Sequence, residues 1–177
     1  TYEPRYLFHR LKKRVDDFIG GETEIRIFGM PGLRGVGKTT LVAQLYQYLL
    51  SKYPNNLLYI SGDQITDLLQ SDLHTVLSHY EKILGTPFES LSSPHFIFID
   101  EIHYDSKWPH ILKWLYDKSR NIFVICTGSS ALSLQSSSTD LARRIIFETL
   151  SPMKFTEYLF LQNKRTDINL GQTISDA

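Results

Sequence analysis

The stretch GMPGLRGVGKTTL, residues 29–41, sets four glycines and a proline directly ahead of VAQLYQYLL, residues 42–50, which has helical character. A loop that only connects two elements rarely needs so much backbone freedom. A loop whose own N–H groups must converge on something does, because each glycine can turn its amide inward with no Cβ in the way. Working outward, IRIF at 25–28 reads as a short strand leading into the loop. Residues 38–52 read as the helix leaving it, ended by Tyr53-Pro54, since the residue before a proline avoids helical geometry.

The same alternation continues along the chain. Residues 5–18 carry Tyr6, Leu7, Leu11, Val15 and Phe18 at helical spacing, and Gly20-Gly21 breaks the pattern. Strands are expected at LLYI (57–60), FIFID (96–100), NIFVICT (121–127) and IIFE (145–148). Helices are expected at 63–84, in two pieces ended by Gly85 and Pro87, at 107–118 with Pro109 in the first turn, in part of the serine-rich 129–144, and at 154–161. Continuous apolar strands separated by helices describe an α/β fold with a parallel sheet covered on both faces. In such a sheet the loops after the strands share one edge, where ligands bind.

The loop satisfies G-x-x-x-x-G-K-[ST], the Walker A pattern, with Gly32, Gly37, Lys38 and Thr39 at its fixed positions. Gly32, Arg34, Gly35, Val36 and Gly37 then supply amides to phosphate, and the following helix adds its unpaired N–H groups. Lys38 reaches the terminal phosphates, Thr39 offers a hydroxyl to Mg²⁺, and Thr40 assists at the α-phosphate. Asp100 and Glu101 close FIFIDE at the tip of an apolar strand. Alone, the pair reads as a strand ending at water. Downstream of a phosphate loop, Asp100 fits the Walker B role of holding the metal, and Glu101 fits a base that orients a water. Glu101 can also be read as an acid favoured by a helix N-terminus.

Weaker signals surround these. In TGSS, residues 127–130, a hydroxyl at the strand end is either a γ-phosphate sensor or a helix cap. Arg143 and Arg144 either stabilise charge, within the chain or across subunits, or are ordinary surface residues. Asp63 reads as a helix cap, and Cys126 as core. Trp108 and Trp114 point in different directions on one helix, so at least one is expected at the surface or on a partner.

Composition narrows the class. With 177 residues, 42% hydrophobic and 21% charged, the chain fits one ordinary domain. Nineteen basic and nineteen acidic residues give no net charge, so nucleic-acid binding is not indicated. A single cysteine excludes an internal disulfide and suits a reducing, cytoplasmic setting. No apolar run is long enough for a membrane span, and the N-terminus does not read as a signal peptide.

GLRGVGKTTL, FIDEIH, TGSSALSL, DLARRIIFETLSP and MKFTEYL stand in an order that resembles predicted ATPases of the AAA+-like superfamily, the archaeal-type group related to signal-transduction ATPases. The resemblance covers residues 5–162. It implies a three-layer αβα P-loop NTPase of the additional-strand, catalytic-glutamate class, with a five-stranded parallel sheet in the order 5-1-4-3-2. It implies ATP rather than GTP, in keeping with the lack of an N-K-x-D element, and it places the sensor at Ser129. Arg144 matches the arginine of the family's L-x-G-R pattern, while Arg143 stands where that pattern has glycine. Residues 1–163 are then the ATPase core, and 164–177 a frayed tail without the lid or output domain that relatives carry. Mg²⁺-dependent ATP hydrolysis is the leading expectation. A nucleotide-operated switch with slow, partner-controlled hydrolysis is the alternative, and a small-molecule kinase a distant third, since no acceptor site is legible. A protein partner or a homo-oligomer is compatible with either of the first two.

Overall fold

Apolar runs flanked by helices can satisfy their backbone groups and bury both faces only as inner strands of a covered sheet, and this sheet is built that way. The structure, a computed structural model, describes residues 5–128 and 143–161. Five parallel strands, β1 (Ile27–Pro31), β2 (Leu57–Ser61), β3 (His95–Asp100), β4 (Ile122–Gly128) and β5 (Ile145–Phe147), lie in the order β2-β3-β4-β1-β5. This is the expected 5-1-4-3-2 order read from the other edge. Every residue of β1, β3 and β4 is buried.

Alternating side chains feed two cores. On one face Phe28, Phe96, Phe98, Phe123 and Ile125 pack under α1 (Tyr6–Ile19) and α2 (Lys38–Leu50). On the other, Ile97, Ile99, Ile122 and Val124 pack under α3 (Leu73–Leu84) and α4 (Trp108–Lys118). A short helix, α5 (Phe155–Leu161), follows β5. The architecture is the three-layer αβα sandwich. Among the described residues, no helix is long and apolar enough to cross a membrane.

Departures from expectation have local causes. β1 begins at Ile27 rather than Ile25 and continues through Gly29, Met30 and Pro31 into the glycine-rich stretch. Its register explains this: Met30 and Pro31 pair with Thr127 and Gly128 of β4, and the Pro31 carbonyl accepts from the Leu150 N–H at 3.0 Å. The helical region after β2 does split, into a single π-helical turn (Gln64–Leu68) and α3. Asp72 caps α3 by accepting the Thr75 N–H at 2.7 Å, and Gly85, at φ 65°, ends it. Trp108 is core, whereas Trp114 is half-buried against Phe88, with ring centres 6.0 Å apart. Cys126 is fully buried, and burial pushes its thiol up to about 12, so it is core and not a nucleophile.

Phe123 sits among Phe18, Phe28 and Phe96, with ring centres 5.1, 5.2 and 6.3 Å away. Phe123→Ala is expected to cost about 3–5 kcal/mol, read as a lower urea midpoint at unchanged m-value. Acid should weaken the α3–α4 layer. The Thr75 N–H holds the Asp72 carboxyl below its usual range. Burial pushes the Glu81 carboxyl up, but its bonds from Lys118 and the Phe88 N–H outweigh this and leave it lowered. Stability from depressed carboxyls is present above their unfolded pKa, about 4, and is lost as pH falls through the folded values. The denaturation midpoint should therefore hold above about pH 5 and fall below about pH 4. A midpoint flat to pH 3 would show that these bonds add nothing.

Candidate functional site

Because all strands run the same way, Pro31, Ser61, Asp100 and Gly128 end at one edge of the sheet, and the glycine loop lies over that edge. The loop is fastened where it leaves β1, by the Gly32 N–H to the Gly128 carbonyl at 3.3 Å. Gly35 and Gly37 then take φ of 82° and 98°, a left-handed backbone that side chains resist. Gly37 is also the N-cap of α2, and with no side chain it leaves the helix's first amides without a side-chain cap. Lys38 opens α2 with its side chain almost buried. Its ammonium donates to the carbonyls of Gly32 and Leu33 at 3.0 and 3.1 Å and lies 3.9 Å from Glu101 Oε1.

Asp100 is buried at the tip of β3, and its carboxylate is surrounded by hydroxyl groups. Thr39 of α2 donates to Oδ2 at 2.6 Å, and Tyr59 of β2 to the same oxygen at 3.2 Å. Thr127 of β4 donates to Oδ1 and accepts the Glu101 N–H at 3.0 Å. Burial, then the charge and hydrogen bond of Asp100, push the Tyr59 hydroxyl up to about 12, so it stays a donor.

Glu101 stands in the left-handed region, at φ 51° and ψ 48°, which costs a non-glycine residue roughly 1–2 kcal/mol. Two features hold it there. One is the bond from its N–H to Thr127. The other is Gly62, where an added Cβ would come within 2.4 Å of the Glu101 carbonyl oxygen. The turn carries the Glu101 carboxylate toward the loop, with Oε2 3.4 Å from His103 Nδ1.

These groups line a cleft of about 380 Å³, with Arg34, Lys38, Thr39 and Thr40 on the loop side and Ser61, Asp63, Asp100 and Glu101 on the strand side. Asp63 caps the π-helical turn as expected, accepting the Gln64 N–H at 2.8 Å. A second, mostly apolar cavity of about 300 Å³ lies against Arg5, Val36, Leu41, Gln44, Met153 and Leu161. Gly35, Gly37 and Thr40 border both, so the two cavities meet across the loop.

The fold thus gathers Gly32, Arg34, Gly35, Val36, Gly37, Lys38, Thr39, Thr40, Asp100 and Glu101 at one place. Ser129 lies outside the described residues. Arg144 is not brought to the cluster. It precedes Ile145, which pairs with Ile27 at the start of β1, and so stands at the opposite edge of the sheet. There its Nε donates to Asp117 at 3.1 Å, and its guanidinium is 5.6 Å from the Tyr116 ring centre. Sequence reasoning missed the bonds of Tyr59 and Thr127 to Asp100 and the need for Gly62. A lone hydroxyl ending the apolar NIFVICT was a usable sign for Thr127. An exposed aromatic on an edge strand offered none for Tyr59.

Comparison with known proteins agrees with this geometry. The profile of a family described as "AAA domain" matches residues 24–159. The chain is 42% identical over 158 residues to the uncharacterized protein MJ1637 of Methanocaldococcus jannaschii, a match spanning 89% of the chain but 32% of that protein. Among solved structures it resembles PCH-2 of C. elegans, with a TM-score of 0.57 and 16% identity over 86% of this chain and 44% of that one. At that identity the likeness is one of fold.

Thr127, itself fully buried, bonds two partners at once, which generates a stability test. Thr127→Val keeps the shape but strands the Glu101 amide and strips a donor from Asp100. It should cost about 1–3 kcal/mol in urea denaturation, and a wild-type midpoint would show the hydroxyl to be dispensable.

Proposed function

Since the chain belongs to the AAA domain family, we propose that it is a cytoplasmic ATPase that binds ATP with Mg²⁺ and hydrolyses it. The observation that carries this reading is the 2.6 Å bond between Thr39 and Asp100 directly beneath the glycine loop. A hydroxyl and a carboxylate on one side of a polyphosphate cradle form the all-oxygen donor set that Mg²⁺ requires. Among the described residues, no group of three or more His, Cys, Asp or Glu could hold a metal ion. Bound at Thr39 and Asp100, Mg²⁺ would neutralise charge on the phosphate oxygens.

The chain's own groups divide the remaining tasks. The loop amides from Gly32 through Gly37 and the first amides of α2 bind phosphate, with Arg34 adding charge at the rim and Thr40 serving the α-phosphate. Lys38 exchanges the carbonyls of Gly32 and Leu33 for terminal phosphate oxygens. Glu101 accepts a proton from the water that attacks the γ-phosphorus, and Ser129 senses the γ-phosphate. The apolar cavity beside Val36 and Gln44 suits an adenine ring. Arg144, at the far edge of the sheet, would serve the reaction only across a contact between two copies. Residues 1–163 form the ATPase core of this proposal.

One observation favours the slower, switch-like version. The two Glu101 carboxylate oxygens face Lys38, at 3.9 Å, and His103, at 3.4 Å, so presenting one of them squarely to an attacking water calls for a turn of the side chain. A second protein or a second copy could supply that rearrangement.

Glu101→Gln separates chemistry from binding. Steady-state phosphate release should drop about 10²-fold or more while ATP affinity stays within about threefold of wild type. Undiminished turnover in that variant would remove Glu101 from the mechanism.

A further inference from the structure

Arg5, just ahead of α1, has its guanidinium nearly buried, and its hydrogen bonds reach three segments far from it in sequence. Its Nη1 donates to the Val36 carbonyl of the glycine loop at 2.8 Å. Its Nη2 donates to the Ser151 carbonyl, in the stretch after β5, at 2.9 Å. Nε and Nη2 grip both carboxylate oxygens of Glu157 on α5 at 3.0 and 2.7 Å, a two-pronged ion pair. The Tyr6 N–H adds a third bond to Glu157, at 3.2 Å.

The grip on Val36 falls at a sensitive point. Val36 lies between Gly35 and Gly37, the two left-handed glycines, and so is the stiff residue between two soft ones. A glycine-rich loop loses much conformational entropy when it closes on a ligand, and a bond that orders it beforehand reduces that loss. Arg5 supplies such a bond. A buried guanidinium in turn needs a counter-charge, and Glu157, itself almost buried, provides it. Glu157 does not border either cavity of the site, whereas Arg5 borders the apolar one.

We propose that Arg5 is a positioning residue for the glycine loop, and that Glu157 keeps it in place, so that the seating of α5 sets how well the loop binds phosphate. This deepens the ATPase reading and rests on it for the ligand. The coupling runs in one physical line, from the α5 carboxylate through the guanidinium to the Val36 carbonyl. Any partner or chain segment that draws α5 away would loosen the loop without touching nucleotide. Conversely, a loop closed on phosphate favours α5 in its seat.

Two measurements on the full chain test this. The first needs no nucleotide: hydrogen–deuterium exchange of the peptide covering residues 32–38, in wild type, Glu157→Gln and the milder Arg5→Lys. Exchange there should rise about fivefold in both variants while the β4 peptide stays protected, showing that the fold is intact. The second is ATP titration with steady-state turnover. Glu157→Gln should weaken ATP binding about tenfold, as expected for a lost charge-assisted bond, with kcat within about twofold of wild type. The Arg5→Ala/Glu157→Ala double variant should bind no more weakly than Arg5→Ala alone, because Glu157 acts through Arg5. Loop exchange unchanged while the α5 peptide loosens would reduce the pair to a tether of α5 and overturn the proposal. Additive losses in the double variant would likewise overturn it. If wild type binds no nucleotide, the ATPase reading fails, and the exchange experiment still decides the clamp.

Discussion

A carboxylate taken out of water must find donors, and Asp100 finds three of them on three different elements. Thr39 comes from the first turn of α2, Tyr59 from β2 and Thr127 from β4. The strand ends, the glycine loop and the helix it feeds are thereby held to one point. The sheet alone would bring these elements near one another. The hydroxyl groups fix how they face. Among the described residues, the side chains that bond Asp100 all do so through hydroxyl oxygens, which suits a hard cation.

Strain and charge are concentrated beside that point. Glu101 stays left-handed because Thr127 holds its N–H and Gly62 makes room for its carbonyl. Lys38 is turned back on the carbonyls of its own loop. The left-handed turn at Glu101 costs something locally, and the cores on the two faces of the sheet are what can bear it. The loop is also tied from outside the site, through Arg5 to α5. The loop's position is thus linked, by the Arg5 bonds to Val36 and Glu157, to the end of the described residues.

Most of the architecture was legible in the residues because its signals are local. Apolar runs such as FIFID and NIFVICT read as inner strands, and Asp63, Gly85 and Pro109 mark helix ends by their own chemistry. Glycine spacing alone located the loop. What could not be read depends on registers and distances between remote parts. β1 runs on through Pro31 because β4 and β5 lie beside it, a fact absent from IRIFGMP itself. Arg5 and Glu157 are 152 positions apart, and each taken alone looks like an ordinary surface charge. Arg144 carried a family pattern but no sign of where β5 would put it. In this structure it stands at the edge away from the loop.

The chain spans only 32% of the length of its relative from Methanocaldococcus jannaschii. The binding step itself is open to a direct look. Diffraction from crystals of this chain grown with a nonhydrolysable ATP analogue and Mg²⁺ should show phosphate oxygens against the amides of residues 35–39. It should also show the metal between Thr39 and Asp100. The analogue bound elsewhere, with Lys38 still folded onto the Gly32 and Leu33 carbonyls, would contradict that.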